Sequence, residues 1–139
     1  MEDKVYDILG GIEYGSFESK MSCLNQLDDL IEFKQLSIDE LEECATKLVD
    51  IVLYETNPQL VREIFRAIEN IFLANSSINV SLEGLIDVFE EDEAILANTL
   101  ILIPFTGQKK YIELVKTYLN HSNELVSKNA AYALKYLDR

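Results

Sequence analysis

The densest group of reactive side chains in the sequence is the run Glu90-Glu91-Asp92-Glu93. Consecutive carboxylates could hold a hard cation, but an EF-hand loop alternates its ligands with other residues and needs a glycine for its sharp bend. The run has neither feature, and it precedes a predicted helix, where negative charge interacts favourably with the helix dipole. We therefore predict no metal site here and expect the run to lie at a helix N-terminus.

The other reactive side chains do not form a catalytic set. The single histidine, His121, falls in a polar turn and is more consistent with a turn residue than with a general base. Cys23 and Cys44 belong to no CxxC pair, which favours buried free thiols over a metal or redox site. Gly107-Gln108-Lys109-Lys110 lacks the second glycine and the following Ser or Thr of a phosphate loop. We predict a non-enzymatic protein with no catalytic residue, no metal and no cofactor.

The charge of the chain indicates what kind of partner it binds. There are 25 acidic and 12 basic residues, for a net charge of −13. Residues 1–55 include 14 acidic and 4 basic residues. Residues 56–106 include 8 acidic and 2 basic residues, and residues 107–139 include 3 acidic and 6 basic residues. Acidic surfaces repel nucleic-acid phosphates and anionic lipid and attract basic proteins. The sequence thus favours a basic protein partner, with no direct nucleic acid and no membrane; the alternative is that the acidity only maintains solubility.

Length and composition favour one helical domain over residues 1–139. The chain is 48% hydrophobic and contains only 5 Gly and 2 Pro, which leaves little room for strands and tight turns. The first residues, MEDKVYDILGG, lack the basic-then-apolar pattern of a secretory signal. No apolar run reaches the roughly 18 residues that a membrane span needs. We expect a folded, all-α, cytoplasmic protein.

The clearest helix signal lies between Asn57 and Phe72. Its apolar residues recur at the i, i+3, i+4, i+7 spacing of one buried face, after Asn57 as the N-cap and Pro58 at the first helical position. The preceding helix is predicted to begin at Ser37, with Glu40 completing a capping box. The two segments predict a helical hairpin.

This helix pattern recurs along the chain. Shifts of 44 residues back, and of 34 and then 31 residues forward, superimpose apolar positions on those of the Asn57 helix. We predict four inner helices near residues 16–33, 57–74, 92–103 and 122–138, preceded by outer helices at 4–10, 37–54, 81–89 and 108–119. Gly10-Gly11 is expected to end the first outer helix. Repeated helix pairs of this length stack into a solenoid, each burying its apolar face on the next.

The repeats resemble HEAT and armadillo repeats. The segment YIELVKTYLNHSNELVSKNAAYALKYL, Tyr111 to Leu137, is similar to a full HEAT unit, whereas the small-residue and Trp/Tyr positions of tetratricopeptide repeats are absent. Val61-Arg62 stands where HEAT units place a Val-Arg pair, whose arginine bonds to an acidic side chain of the adjacent turn. The other copies carry Glu18, Leu96 and Ser127 at the arginine position. The resemblance implies an all-α, HEAT-like α-solenoid (α-α superhelix) of about four helix pairs.

Small acidic proteins with degenerate HEAT-like repeats resemble the immunity proteins of bacterial polymorphic and contact-dependent toxin systems. The resemblance implies that the chain binds a cognate basic toxin domain, for example a nuclease, and neutralises it. The residues expected to bind the partner are acidic positions on the inner helices and the acidic turn: Asp28, Asp29, Glu32, Glu63, Glu69, Glu90, Glu91, Asp92 and Glu93.

Two other functions are open at this stage. A HEAT-like regulatory or scaffolding adaptor would hold two proteins together without blocking either. A helper enzyme resembling a bilin lyase is a poorer fit, because it would need a nucleophile or a pair of histidines. Exposed aromatics such as Tyr54 and Tyr132 could anchor an interface or seal the edge of the core. The expected core comprises Phe17, Leu24, Leu48, Val61, Phe65, Ile68, Leu100, Val126, Ala130 and Leu134.

Overall fold

A computed structural model of the chain describes residues 3–138, and this part of the chain consists of helices and loops without a β-strand. The described chain divides between Val80 and Ser81 into two compact units, which we call the first unit and the second unit. The all-α prediction is therefore confirmed. That residues 1–139 form a single domain stays a prediction.

The first unit contains four long helices: α1 (Asp3–Tyr14), α2 (Phe17–Glu32), α3 (Ile38–Val52) and α4 (Pro58–Ala74). Three begin at a side-chain cap: Ser16 for α2, Ser37 with the Glu40 capping box for α3, and Asn57 with Pro58 for α4. The predicted hairpin of α3 and α4 is confirmed, and α2 packs against both α1 and α4. Local capping and an apolar face of period 3.6 suffice to specify these helices.

The prediction that Gly10-Gly11 ends the first helix is wrong, because α1 continues to Tyr14. A Cβ added at Gly11 would overlap Sγ of Cys23 on α2. The glycine is needed here because α1 and α2 cross closely. This requirement comes from tertiary packing. It outweighs the low intrinsic helix propensity of glycine.

The second unit is less regular. It contains α5 (Glu83–Ile86), α6 (Glu93–Leu102), α7 (Ile112–Lys116) and α8 (Glu124–Leu137), with single turns of 3-10 helix at Phe89–Glu91, Ile103–Thr106 and Lys109–Tyr111. The inner helices α6 and α8 agree with the prediction and pack against each other. The predicted continuous outer helices at 81–89 and 108–119 are wrong, since each is a short α-helix joined to a 3-10 turn. Neither α5 nor α7 has a side-chain cap.

Most of the predicted core is buried. Leu24, Leu48, Phe65, Ile68, Leu100, Val126 and Ala130 are all buried. Phe17 was wrongly predicted: it is 38% exposed, because it is the first residue of α2, where little packs over the end of the helix. Val61 and Leu134 are only half-buried. Both units have their own apolar interior, which includes Phe72 in the first and Phe89 in the second.

Candidate protein-binding site

The predicted acidic residues on α2 and α4 lie partly together. The carboxyl group of Asp28 interacts electrostatically with those of Asp29 and Glu63 and with the positive charge of Arg66. Arg66 also lies 3.6 Å from Glu63, one turn away on α4. We call Asp28, Asp29 and Glu63 the α2–α4 acidic cluster. Its negative charge is reduced, though not cancelled, by one arginine.

Asp28 is the most constrained member of this cluster. Its Oδ1 atom is buried and has no hydrogen-bond partner among the described residues. Burial raises the pKa of the Asp28 carboxyl, and the charges of Glu63 and Asp29 raise it further, whereas the side chain of Asn70 and the charge of Arg66 oppose the rise. A partly buried carboxylate with an unpaired oxygen destabilises the folded chain on its own. A cation supplied by a partner would remove that cost.

The other predicted acids on these helices are not among the charges that act on Asp28. Glu32 is exposed on α2, and Glu69 is half-buried on α4. The arginine expected to bond to a neighbouring acid, Arg62, is exposed and makes no ion pair with any described residue; Arg66 makes the ion pair on this helix instead.

The predicted acidic turn, Glu90 to Glu93, lies in the second unit. Three of its four carboxylates bond within the fold, whereas that of the exposed Glu91 makes no hydrogen bond or ion pair among the described residues. Asp92 is the N-cap of α6, since its Oδ1 accepts from the backbone N–H groups of Ala94 and Ile95 at 3.0 and 3.3 Å. Glu90 accepts from the hydroxyl of Tyr118 at 2.9 Å, and Glu93 accepts from Nδ2 of Asn123 at 2.9 Å. The expectation that this run lies at a helix N-terminus is confirmed. Its role in partner binding stays a prediction.

A second tyrosine repeats this arrangement in the second unit. The hydroxyl of Tyr111 donates to Glu83, which also lies 3.3 Å from Nζ of Lys110. The pairs Glu83–Tyr111 and Glu90–Tyr118 are both separated by 28 residues. Burial, together with the neighbouring carboxylate, raises the pKa of each phenol to about 12. The hydrogen bonds from Tyr111 and Lys110 lower the pKa of Glu83.

A groove lies between α1 and α3 in the first unit. Its volume is about 750 Å³. Tyr6, Leu9 and Gly10 of α1 line one side. The other lining residues are mainly acidic or polar: Glu13, Asp39, Glu42, Glu43, Thr46, Lys47, Asp50 and Asn79. We call this feature the α1–α3 groove.

Some carboxylates of the groove make a hydrogen bond or ion pair within the fold, and others do not. Glu13 lies 2.9 Å from Nζ of Lys47, and this contact raises the pKa of the lysine. Glu42 accepts from the backbone N–H of Asn79 at 2.9 Å. The remaining carboxylates of the groove, on Asp39, Glu43 and Asp50, are exposed and have no hydrogen bond or ion pair within residues 3–138. The single lysine of the groove is thus already paired, and these carboxylates are available to an external cation.

Sequence reasoning missed this groove although a signal was present. Asp39, Glu43, Thr46 and Asp50 recur at intervals of 4, 3 and 4 residues, which places them on one stripe of a helix. The predicted role of this helix came from its buried face alone. That α1 lies opposite this stripe follows from tertiary packing, and no local pattern indicates it.

The remaining reactive groups of the described chain have structural surroundings. His121 lies in the turn before α8, where its Nδ1 accepts from the backbone N–H of Asn123 at 3.0 Å. Burial raises the pKa of the Cys44 thiol to about 12, and Cys23 is half-buried; both are free, as predicted. Within residues 3–138, no three His, Cys, Asp or Glu side chains are arranged to hold a metal ion.

The two aromatics singled out in the sequence are both on the surface. Tyr54 is 85% exposed, and Tyr132 stacks against Tyr136 with ring centroids 4.7 Å apart. Neither residue seals the core in the manner of the buried Phe89. A role as interface anchors stays a prediction.

No protein-family model, curated protein or solved structure matches this chain. None of the described helices is long and apolar enough to cross a membrane. The function is therefore inferred from the chain's own surface.

Proposed function

We propose that this protein is a non-enzymatic binding module whose first unit captures a basic protein partner. The observation that carries the proposal is the distribution of unpaired charge. Residues 1–80 contain 16 acidic and 6 basic residues, whereas residues 81–139 contain 9 and 6. The net charges of the two segments are therefore −10 and −3. The first unit bears the α2–α4 acidic cluster and the free carboxylates of the α1–α3 groove.

This arrangement suits fast and selective capture of a cation-rich surface. An excess of one sign of charge steers an oppositely charged partner, and the association rate then falls as salt is added. Carboxylates that lose their water against a partner's lysines or arginines slow dissociation. The raised pKa of Asp28 supports the same function, because a partner cation would stabilise its ionised form.

The biological role that we propose is that of a bacterial immunity protein acting in the cytoplasm, which binds a cognate basic toxin domain and blocks its activity. The support is the chain's acidity, its helical build and the absence of a catalytic set among the described residues. The proposed arrangement of the helix pairs is a HEAT-like α-solenoid. The repeated inner helices α2, α4, α6 and α8 support it.

The test is to express the chain together with the product of the reading frame next to its gene. We expect that product to carry a basic domain that arrests growth, to co-purify with the chain, and to be inactive in the complex. Reversal of Asp28, Asp29 and Glu32 to Lys should weaken association. Reversal of the exposed Asp29 and Glu32 alone should do so without lowering the thermal midpoint, because exposed charges rarely contribute more than about 0.5 kcal/mol to stability. Binding without any loss of the partner's activity would favour the adaptor function instead. A neighbouring product that is acidic or does not bind would contradict the immunity role.

A further inference from the structure

Gly10 is a glycine in the interior of a helix that no packing contact explains. Glycine is a poor helix former, so its presence in α1 needs a reason. At Gly11, the other glycine of α1, the reason is the Cys23 side chain. At Gly10 an added Cβ would meet nothing within 4 Å.

The space above Gly10 belongs to the α1–α3 groove. Gly10 lines it beside the exposed Tyr6 and Leu9, which is only 4% exposed, so this side of the groove combines open backbone with a mainly aromatic surface. Across the groove lies the acidic stripe of α3. Because a helix rises about 1.5 Å per residue, the stripe from Asp39 to Asp50 runs for about 16 Å, with a polar side chain at every turn.

We propose that the α1–α3 groove docks a basic amphipathic helix of the protein partner. One apolar side chain of that helix would occupy the space above Gly10, against Leu9. Its lysines or arginines would pair with Asp39, Glu43 and Asp50. A helix is the occupant that fits this groove. When a second helix lies alongside α3, its cations, spaced one turn apart, can pair with the carboxylates that are spaced one turn apart along α3. This inference rests on the proposed function and specifies where the partner binds.

The experiment uses a synthetic amphipathic helix of Lys and Leu as the probe, with a Glu and Leu peptide of the same pattern as its charge control. Dissociation constants are measured by fluorescence anisotropy at physiological ionic strength on the full chain. Gly10→Leu fills the groove without changing the net charge. Asn25→Leu adds the same side chain at an exposed position of α2 and is the matched control.

We expect the Lys/Leu peptide to bind and the Glu/Leu peptide not to bind. Gly10→Leu should weaken binding at least about tenfold, which corresponds to about 1.4 kcal/mol, while Asn25→Leu leaves the affinity unchanged. Urea denaturation of each variant checks that the fold is retained. Should Gly10→Leu fail to fold, the combined variant Asp39→Asn, Glu43→Gln and Asp50→Asn replaces it and should show the same tenfold loss.

Three outcomes would overturn the inference. Equal affinity of Gly10→Leu and the unchanged chain would show that the peptide does not enter the groove. Equal affinity of the chain for the two peptides would show that charge does not contribute to binding. A chain that binds neither peptide lacks the docking site. In each case the proposed function is judged separately, by whether the basic product of the neighbouring frame still binds and whether the Asp28, Asp29 and Glu32 reversal abolishes that binding.

Discussion

The two units of this protein use their carboxylates differently. In the second unit, Glu83, Glu90, Asp92 and Glu93 all bond to side chains or backbone groups of the same unit. In the first unit, the carboxylates of Asp39, Glu43 and Asp50 make no hydrogen bond or ion pair within the described chain, although the charge of Asp50 helps to raise the pKa of Lys47. The first unit has long helices, most of which begin at a side-chain cap, whereas α5 and α7 of the second unit are short and uncapped.

The difference shows how regular secondary structure leaves side chains available for binding. Capped helices with a wide apolar face are stabilised by their own ends and by the core. The short helices α5 and α7 have no side-chain cap and bury only Leu85 and Val115, so polar cross-links between distant segments also hold them. A carboxylate that maintains the fold is unavailable to a partner. The first unit therefore carries more carboxylates without a hydrogen bond or ion pair than the second unit, where Asp87, Glu91 and Glu124 also make neither within the described chain.

The largest expected effect tests the core of the first unit. Phe65→Ala should lower the free energy of unfolding by about 3–5 kcal/mol, because Phe65 is buried on α4 and its removal leaves a cavity. Phe17→Ala is the matched control and should cost less than about 1 kcal/mol, because Phe17 is partly exposed. Urea denaturation measures both. Similar losses for the two variants would mean that the helix register is wrong.

The next effect concerns the tyrosine cross-links of the second unit. Folding raises the pKa of Tyr111 and Tyr118 from 10.0 to about 12, so each contributes stability that is complete below pH 10 and is lost as the pH rises toward about 12. Replacing either with Phe should cost about 1–3 kcal/mol at neutral pH, the range for a hydrogen bond to a charged group, and should reduce the alkaline loss. Alkaline denaturation followed by circular dichroism measures this, and an unchanged profile in Tyr118→Phe would contradict it.

Two neighbouring glycines of α1 give effects of opposite sign. Gly11→Ala should destabilise the chain by about 1–3 kcal/mol, because the new methyl group forces Cys23 to move. Gly10→Ala should stabilise it by about 0.5–1 kcal/mol, because the position is helical and its surroundings are open. Thermal denaturation of the pair is the measurement. A loss of stability in Gly10→Ala would show that the groove is closed above α1.

The smallest effect tests whether the α2–α4 acidic cluster lowers stability. Because folding raises the pKa of Asp28, the stability that this carboxyl contributes is complete below its ordinary pKa of 3.8 and is lost as the pH rises through the folded value. Asp28→Asn should therefore stabilise the chain at neutral pH by about 0.5 kcal/mol, with little difference at acid pH. A loss of stability at neutral pH would mean that Asp28 is needed for the fold.

The long helices α3 and α4 could be predicted because their signals are local. Ser37 with Glu40, and Asn57 with Pro58, mark helix starts, and the apolar period of 3.6 follows each pair. The same reasoning failed at 81–89 and 108–119, where apolar residues suggested full helices. There the structure depends on Tyr111 and Tyr118 bonding to residues 28 positions away, which no local pattern encodes.

The acidity of the candidate site could be predicted from the sequence. Which carboxylates remain free could be predicted only in part. The excess of acid in the first half of the chain is visible in the sequence and indicates a cationic partner. The chosen residues included Asp92, whose carboxylate caps a helix, and omitted Asp39, Glu43 and Asp50. Which carboxylates remain free depends on which cations and backbone donors the fold brings beside them. That pairing is a tertiary property, as the contacts of Glu13 and Glu42 show.

The central claim is that free carboxylates of the first unit, and not the total charge of the chain, bind the basic partner. The most direct measurement is the association rate of the Lys/Leu peptide with two double variants of equal net charge. Asp39→Lys with Glu43→Lys alters the first unit, and Glu113→Lys with Glu124→Lys alters exposed positions of the second unit. We predict that the first pair slows association at least about tenfold at low salt, while the second pair changes it much less. Equal slowing by the two pairs would contradict the claim, because it would show that only the total charge matters.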